Sequence, residues 1–96
     1  MLVKLHPKAE EDLENVLNYY YEIDEKIEAK FLKYLDSTFD KILKFTNLYP
    51  YENKVAQKVL VENFPYIVLY EQNEETIMVL AIFHTKRNPQ TLTDRV

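Results

Sequence analysis

The sequence predicts an α+β domain in which a strand and an antiparallel helical hairpin precede a three-stranded antiparallel meander. Residues 1–5 alternate apolar and polar side chains, residues 9–45 carry apolar side chains at helical spacing, and three apolar runs of strand length follow. Because helices and strands must share one core, we expect a mainly antiparallel four-stranded sheet with both helices on one face. The 96 residues leave room for a single domain, residues 1–96.

The first helix is predicted to begin at Pro7, because the missing N–H of a proline costs little in a first helical turn. The acidic run at residues 10–14 is interpreted as a solvated helix start whose charge suits the helix dipole. One apolar face runs along this helix. It consists of Ala9, Leu13, Val16, Leu17 and Tyr20.

The second helix is predicted to have Asp24 as its N-cap. Its apolar positions cover a wide arc, which indicates contacts with both the first helix and the sheet. These positions are Ile27, Phe31, Leu32, Tyr34, Leu35, Thr38, Phe39, Ile42, Leu43 and Phe45. Residues 47–53, which contain Pro50 and two asparagines, are predicted to form a loop.

Three strands are predicted at residues 55–61, 66–70 and 76–83. The last is the most continuously apolar, as a central strand would be. Residues 63–65 supply the first turn, and the polar residues 71–75 supply the hairpin between the last two strands. Side-chain alternation then predicts the residues that meet between helices and sheet. They are Leu13, Leu17, Phe31, Leu35, Ile42, Ile67, Leu69, Val79 and Ala81.

The composition removes several classes of chemistry. The chain has no glycine, which excludes a GxGxxG loop, a P-loop and a GxSxG nucleophile elbow. It has no cysteine, which excludes disulfides, a thiolate nucleophile and cysteine-based zinc sites. No set of His, Asp and Glu has credible ligand spacing, so we expect neither metal nor cofactor.

The charge and hydropathy patterns bear on location and partners. No signal peptide is recognised and no apolar run is long enough to span a bilayer, so we expect a cytoplasmic protein without a membrane partner. The net charge is −4, which counts against indiscriminate nucleic-acid binding. Basic residues nevertheless dominate residues 84–96, which contain Lys86, Arg87 and Arg95 against Asp94 alone.

Three sequence motifs occur in a characteristic order. Residues 18–22 (NYYYE) end the first helix, Lys58 precedes residues 64–70 (FPYIVLY), and residues 79–89 (VLAIFHTKRNP) are followed by Arg95. Together they resemble the RelE/ParE superfamily of toxins from type II toxin–antitoxin systems, closest to its ParE-like, plasmid-stabilisation branch. The resemblance covers nearly the whole chain. It departs from the family pattern at Lys58, where arginine is usual, and at Leu92, where an aromatic residue is frequent.

The resemblance implies a growth-inhibiting toxin neutralised by a cognate antitoxin, with which it would form a hetero-oligomer. Three functions are compatible with it. A ParE-like toxin binds DNA gyrase and is not an enzyme. A RelE-like toxin is an endoribonuclease that cleaves mRNA on the ribosome, and a degenerate member only binds its antitoxin. The ParE-like interpretation ranks first, because it needs no catalytic constellation and agrees with the acidic charge.

The RelE-like alternative assigns His84 as general acid or base, with Arg87 stabilising the charged phosphorane-like state. In the structural alternative, which we favour, His84 is hydrogen-bonded at the sheet edge and holds the C-terminal segment. Lys58 is either a cationic floor for phosphate or antitoxin carboxylates, or an outward strand lysine that discourages edge pairing. We expect Lys58, His84 and Arg87 to converge at one end of the sheet.

Aromatic residues complete the candidate surface. Tyr66 shares a strand face with Tyr70 and could stack on bases, although core packing is the commoner role of such pairs. The tyrosines at 19–21, 49 and 51 exceed what a small core hides, which predicts a surface for an antitoxin tail. The candidate binding residues are Lys58, Tyr66, Lys86, Arg87 and Arg95.

Overall fold

The computed structural model describes residues 2–86. The elements follow the predicted order of strand, two helices and three strands. They are β1 (Leu2–Leu5), α1 (Pro7–Ile23), α2 (Glu25–Phe45), a short 3-10 helix (Thr46–Leu48), β2 (Ala56–Leu60), β3 (Tyr66–Asn73) and β4 (Thr76–His84). Strand β3 therefore runs three residues further than the sequence pattern indicated, and the hairpin loop is correspondingly shorter.

The four strands form one sheet in the order β1-β4-β3-β2. Strands β2, β3 and β4 form the expected antiparallel meander, and β1 pairs with β4 in parallel. The apolar strand β4 is central over the length of β1, which confirms the expectation from its composition. Because β1 ends at Leu5, the second half of β4 pairs with no further strand on that side within residues 2–86.

Local signals fix the ends of the helices. Pro7 occupies the first turn of α1, and His6 caps that helix by accepting a hydrogen bond at Nδ1 from the Lys8 N–H, at 3.1 Å. The Asp24 carboxylate caps α2 through the Lys26 N–H, at 2.8 Å. Asp24 is thus the N-cap that the sequence predicted.

The turns must form without glycine. Asn63 has φ 66° and Glu74 has φ 50°, both in the left-handed region. Asparagine tolerates this region well, whereas a glutamate there costs roughly 1–2 kcal/mol. Glu74 lies in a two-residue loop between the paired residues Asn73 and Thr76, so the hairpin itself imposes this conformation.

The principal core lies between the helices and one face of the sheet, which we call the helix face. Phe31, Leu35 and Ile42 of α2 are buried there, as predicted, and Leu13 and Leu17 of α1 are partly buried against them. The remaining buried members of this cluster are Ala9, Val16, Val59, Val61, Tyr66, Val68, Tyr70, Ile77, Val79 and Ile82.

Three residues expected in this core belong to a second cluster on the opposite face of the sheet. Ile67, Leu69 and Ala81 pack there, together with Ala56, Met78, Leu80 and Phe83. The prediction was wrong because β3 and β4 are apolar on both faces, so alternation alone did not fix which residues face the helices. A β-bulge beside Leu69 adds to the error. Leu69 pairs with Ala81 and Tyr70 pairs with Val79, so Leu80 is inserted between two paired residues of β4. The insertion breaks the alternation, and Val79 and Ile82 therefore both face the helices.

Candidate functional site

A cleft lies between α1 and the end of β4, on the helix face, and we call it the α1–β4 cleft. Its volume is about 290 Å³. Four of its residues come from one side of α1, and the others come from β3 and β4. Its lining residues are Asp12, Asn15, Val16, Tyr19, Tyr66, Ile82, Phe83 and His84. The cleft contains two of the residues singled out from the sequence, His84 and Tyr66.

His84 is half-buried at the end of β4. Its Nδ1 accepts a hydrogen bond of 3.1 Å from the backbone N–H of Lys86, so a neutral ring carries its proton on Nε2. The ring packs edge-on against Tyr66, with centroids 5.4 Å apart and planes at 78°. These contacts stabilise the turn that follows β4. They agree with the structural interpretation of His84.

Asp12 takes the place of a strand partner along β4. The last backbone hydrogen bond at the end of β1 runs from His6 N to Val79 O, at 2.8 Å. Three residues further along β4, the Asp12 carboxylate Oδ2 accepts a hydrogen bond of 3.0 Å from the Ile82 N–H. Asp12 is only 9% exposed. The expectation that the acidic run is solvated therefore holds for Glu10, Glu11 and Glu14 but is wrong for Asp12.

The sequence did carry a signal for Asp12. It lies three residues after Ala9 and four before Val16, on the buried stripe of α1. An acid at such a position is most often paired with a specific partner. That signal was masked by the neighbouring glutamates, which made the whole run look like a helix start.

Tyr66 is a core residue. It is 9% exposed and packs in a cluster with Tyr20, Phe31 and Phe64, where the Tyr66 and Phe31 ring centroids lie 5.6 Å apart. Burial raises the pKa of its hydroxyl above the usual value, and nearby Tyr19 adds to the shift. Its ring has little face left for a base to stack on, so only part of Tyr66 reaches the cleft.

Lys58 and His84 lie on opposite faces of the sheet. Lys58 pairs across the strands with Leu69, on the face away from the helices, whereas His84 pairs with Tyr66 on the helix face. The expected convergence of Lys58 with His84 is therefore wrong. Lys58 is on the open face of the sheet, as expected for a strand lysine, and it is His84 that lies on the other side, because its cross-strand partner Tyr66 faces the helices.

Of the remaining candidate binding residues, the structure describes Lys86 and Lys58 but not the two arginines. Lys86 is exposed and contributes its backbone N–H to the His84 ring. Arg87 and Arg95, which the sequence also indicated, lie outside the residues that the structure describes. Lys58 is partly exposed and forms an ion pair of 3.2 Å with Glu52.

A second concave surface, which we call the edge groove, lies beside β2. It has a volume of about 550 Å³ and a largely apolar lining. The residues around it are Lys41, Tyr49, Pro50, Lys58, Val59, Leu60 and Ile67. Lys41 forms an ion pair of 3.3 Å with Glu62, so both lysines of the groove have a glutamate beside them.

Part of the β2 edge is covered by the preceding loop. Lys58 N donates to Pro50 O at 2.9 Å, and Glu52 N donates to Ala56 O at 2.8 Å. The backbone groups of Leu60 point the same way, because alternate residues of a strand face the same neighbour. Within residues 2–86 we find no backbone partner for them on that side, and the Leu60 side chain is 58% exposed.

A buried polar network holds the loop that forms one wall of the groove. Gln57 Nε2 donates to Thr46 O at 2.6 Å and to Tyr49 O at 3.1 Å, and the Tyr70 hydroxyl donates to Thr46 O at 2.9 Å. Gln57 Oε1 accepts in turn from Gln72 Nε2 at 2.9 Å. Burial raises the pKa of Tyr70 to about 12. Satisfied networks of this kind rigidify the backbone that they join.

Two absences concern the part of the chain that the structure describes. Residues 2–86 contain no group of three or more His, Asp or Glu arranged to hold a metal ion. Neither helix in that range is long and apolar enough to cross a membrane.

Comparison with known proteins decides the family. The sequence profile of the ParE toxin of the type II toxin–antitoxin system parDE matches residues 3–89. The chain belongs to the ParE toxin family. The comparison with curated proteins finds no match.

The fold of this ParE family member agrees with that assignment. It is similar to a chain of the chromosomal ParDE toxin–antitoxin system from P. aeruginosa, with a TM-score of 0.75 and 18% sequence identity. The alignment covers 88% of this chain and 95% of that chain. The strand, helical hairpin and three-stranded meander are thus shared with a ParDE component, whereas most side chains differ.

Proposed function

We propose that this ParE family toxin arrests growth by binding DNA gyrase and that a cognate antitoxin neutralises it. Family membership supports the toxin role. The arrangement of ionisable groups supports a contact mechanism over RNA cleavage, because Lys58 and His84 lie on opposite faces of the sheet.

The charge of the α1–β4 cleft carries this choice. His84, the candidate proton carrier, shares the cleft with the buried carboxylate of Asp12, and the lining of the cleft within residues 2–86 includes no lysine or arginine. Catalysis of phosphoryl transfer needs cations at the developing negative charge, and the described lining of the cleft supplies none beside His84. A contact surface has no such requirement.

We assign the antitoxin to the edge groove. Leu60 offers an exposed apolar side chain and outward backbone groups, which an extended segment can bind by strand addition. Lys41 and Lys58 flank the apolar floor. Carboxylates of the antitoxin can replace Glu62 and Glu52 at these lysines, which favours a fast, salt-dependent association.

The experiment that tests the gyrase assignment compares the two targets directly. Purified protein is added to gyrase in a supercoiling and DNA-cleavage assay and, separately, to translating ribosomes with a reporter mRNA. Inhibition of gyrase with intact mRNA is the expected result, and addition of the antitoxin should reverse it. Cleavage of ribosome-bound mRNA without an effect on gyrase would support the RelE-like alternative. Inactivity in both assays with retained antitoxin binding would indicate a degenerate toxin.

A further inference from the structure

We propose that the edge groove is specific for an extended acidic segment whose two carboxylates lie on opposite sides of the added strand, an odd number of residues apart. The inference rests on the proposed assignment of the antitoxin to this groove, and it adds the residue pattern that the antitoxin segment must carry. Two lysines on different faces of the sheet are its basis.

The two lysines of the groove approach the β2 edge from opposite sides. Lys58 pairs across the strands with Leu69, so its side chain lies on the open face of the sheet. Lys41 belongs to α2, which packs on the helix face, and its ammonium group reaches Glu62 just beyond the end of β2. Both lysines line the groove, which therefore has one cation on each side of the sheet edge.

The backbone of Leu60 fixes how a bound segment would be oriented. A segment that pairs with Leu60 continues the sheet, so its side chains alternate between the two faces. The residue directly opposite Leu60 lies on the open face, next to Leu60 and its cross-strand partner Ile67, where an apolar side chain fits.

The alternation determines the spacing of the acids. A carboxylate that reaches Lys58 must extend from the open face of the segment, and one that reaches Lys41 must extend from its helix face. Residues two or four apart share a face, whereas residues one or three apart do not. Three residues span roughly 10 Å of strand, which suits the stretch from Lys58 to Glu62 better than one residue does.

Two glutamates of the chain occupy these lysines before a partner binds. Lys58 Nζ lies 3.2 Å from Glu52, and Lys41 Nζ lies 3.3 Å from Glu62. The side chains of Lys41 and Glu62 are about half exposed, and exposed ion pairs contribute little to stability. An incoming carboxylate therefore replaces a glutamate at small cost. Because the glutamates compete with the segment, their removal should strengthen its binding.

The test uses three synthetic peptides of identical composition, each built from valine and threonine with one leucine and two aspartates. The aspartates are two, three or four residues apart. Each peptide is titrated into the purified full chain, and the backbone N–H signal of Leu60 is followed in NMR spectra. Glu52→Gln and Glu62→Gln remove the competing carboxylates. Glu11→Gln is the matched control, because it makes the same charge change at an exposed position of α1 that does not line the groove.

We expect the peptide with a spacing of three to bind about fivefold more tightly than both others, because it alone meets both lysines. Glu52→Gln and Glu62→Gln should each tighten its binding by about two- to fivefold, and Glu11→Gln should not. A gain in affinity cannot result from a damaged fold. Lys41→Gln and Lys58→Gln should each remove the preference for this spacing.

Equal affinities, a steady trend from two to four, or no change in the Leu60 signal with any peptide would overturn the proposal. The antitoxin assignment is tested separately, by the effect of Leu60→Ser on the affinity for the antitoxin. If the peptides follow the expected pattern but this substitution has no effect, only the antitoxin assignment fails. If the substitution weakens antitoxin binding but the peptides show no preference, only the spacing rule fails.

Discussion

The carboxylate of Asp12 and the backbone N–H of Ile82, seventy residues apart in the sequence, are joined by a hydrogen bond of 3.0 Å. The bond forms where β1 has ended and β4 continues, so a helix side chain completes what a strand would otherwise supply. It therefore joins α1 to the sheet at the same place where the cleft opens.

Replacing Asp12 by alanine should destabilise the fold by about 1–3 kcal/mol, because the buried Ile82 N–H loses its acceptor. Asp12→Asn should cost less, since the amide oxygen can accept the same bond. Glu11→Ala, at an exposed neighbour, is the control and should stay within about 0.5 kcal/mol. Urea unfolding of the three variants provides the measurement. Equal losses for the three would show that the bond contributes nothing.

Leu35→Ala should cost about 2–5 kcal/mol, because this fully buried side chain fills the core between α2 and the sheet. Leu32, on the same helix, is 37% exposed and provides the matched comparison. Leu32→Ala should cost about 1 kcal/mol or less. Chemical denaturation with a two-state fit gives both values. A small effect at Leu35 would mean that the cavity collapses or that α2 packs differently.

The helical part of the fold could be read from the sequence because each helix has one apolar stripe. The spacing of Phe31, Leu35 and Ile42 allows one orientation, and Asp24 marks the helix start. For the strands, the sequence did not predict which residues face the helices. Ile67 and Leu69 alternate as regularly as Tyr66 and Val68, and all four are apolar, so only the tertiary structure shows which pair meets the helices.

The candidate site could be predicted only in part, for the same reason. The end of β4 was located correctly through His84, because a motif marks it. The convergence expected for Lys58 and His84 was wrong, because no sequence pattern shows that His84 faces the helices while Lys58 lies on the open face. Asp12 was missed because the sequence does not distinguish a buried aspartate from a solvated one. Its partner is a backbone N–H, which no sequence motif marks.

The stability of the protein should fall between pH 10 and 12 through Tyr70. The raised pKa of this buried hydroxyl, about 12 in the folded chain against 10.0 for an ordinary tyrosine, means that the unfolded chain loses its proton first. The protonated Tyr70 hydroxyl contributes fully to the free energy of unfolding below pH 10. This contribution is lost as the pH rises from 10 toward the pKa of the folded chain, and the free energy of unfolding falls by at most about 1.4 kcal/mol per pH unit.

Tyr70→Phe is the variant that isolates this contribution. Near neutral pH it should be about 0.5–1.5 kcal/mol less stable, because the bond to the Thr46 carbonyl is lost. Above pH 10 the difference from the unaltered protein should shrink, and unfolding curves at several pH values measure it. A constant difference up to pH 12 would contradict the assignment to Tyr70.

His84→Ala should leave growth arrest largely intact, because the ring fastens a turn and packs on Tyr66 without supplying a proton in the proposed mechanism. A modest stability loss of about 1 kcal/mol is expected from the lost hydrogen bond. Deletion of residues 88–96 should weaken arrest more, since a contact surface depends on area. Colony counts after induction measure both. A folded His84→Ala protein that has lost roughly a hundredfold in activity would favour the RelE-like mechanism.

Leu60→Ser should weaken antitoxin binding by about tenfold or more, if the edge groove receives the antitoxin as proposed. Leu60 is exposed in the toxin and would become the apolar anchor of an added strand, and burial of such an anchor accounts for much of the affinity of an interface. Leu48→Ser is the matched control, because Leu48 is 75% exposed and does not line the groove. Calorimetric titration with the purified antitoxin gives both dissociation constants.

Because both leucines are exposed, neither change should alter the free energy of unfolding by more than about 0.5 kcal/mol, so unequal affinities report the interface. Equal affinities for the two variants would place the antitoxin on another surface, and the exposed Tyr19 and Tyr21 on α1 would then be the next residues to replace.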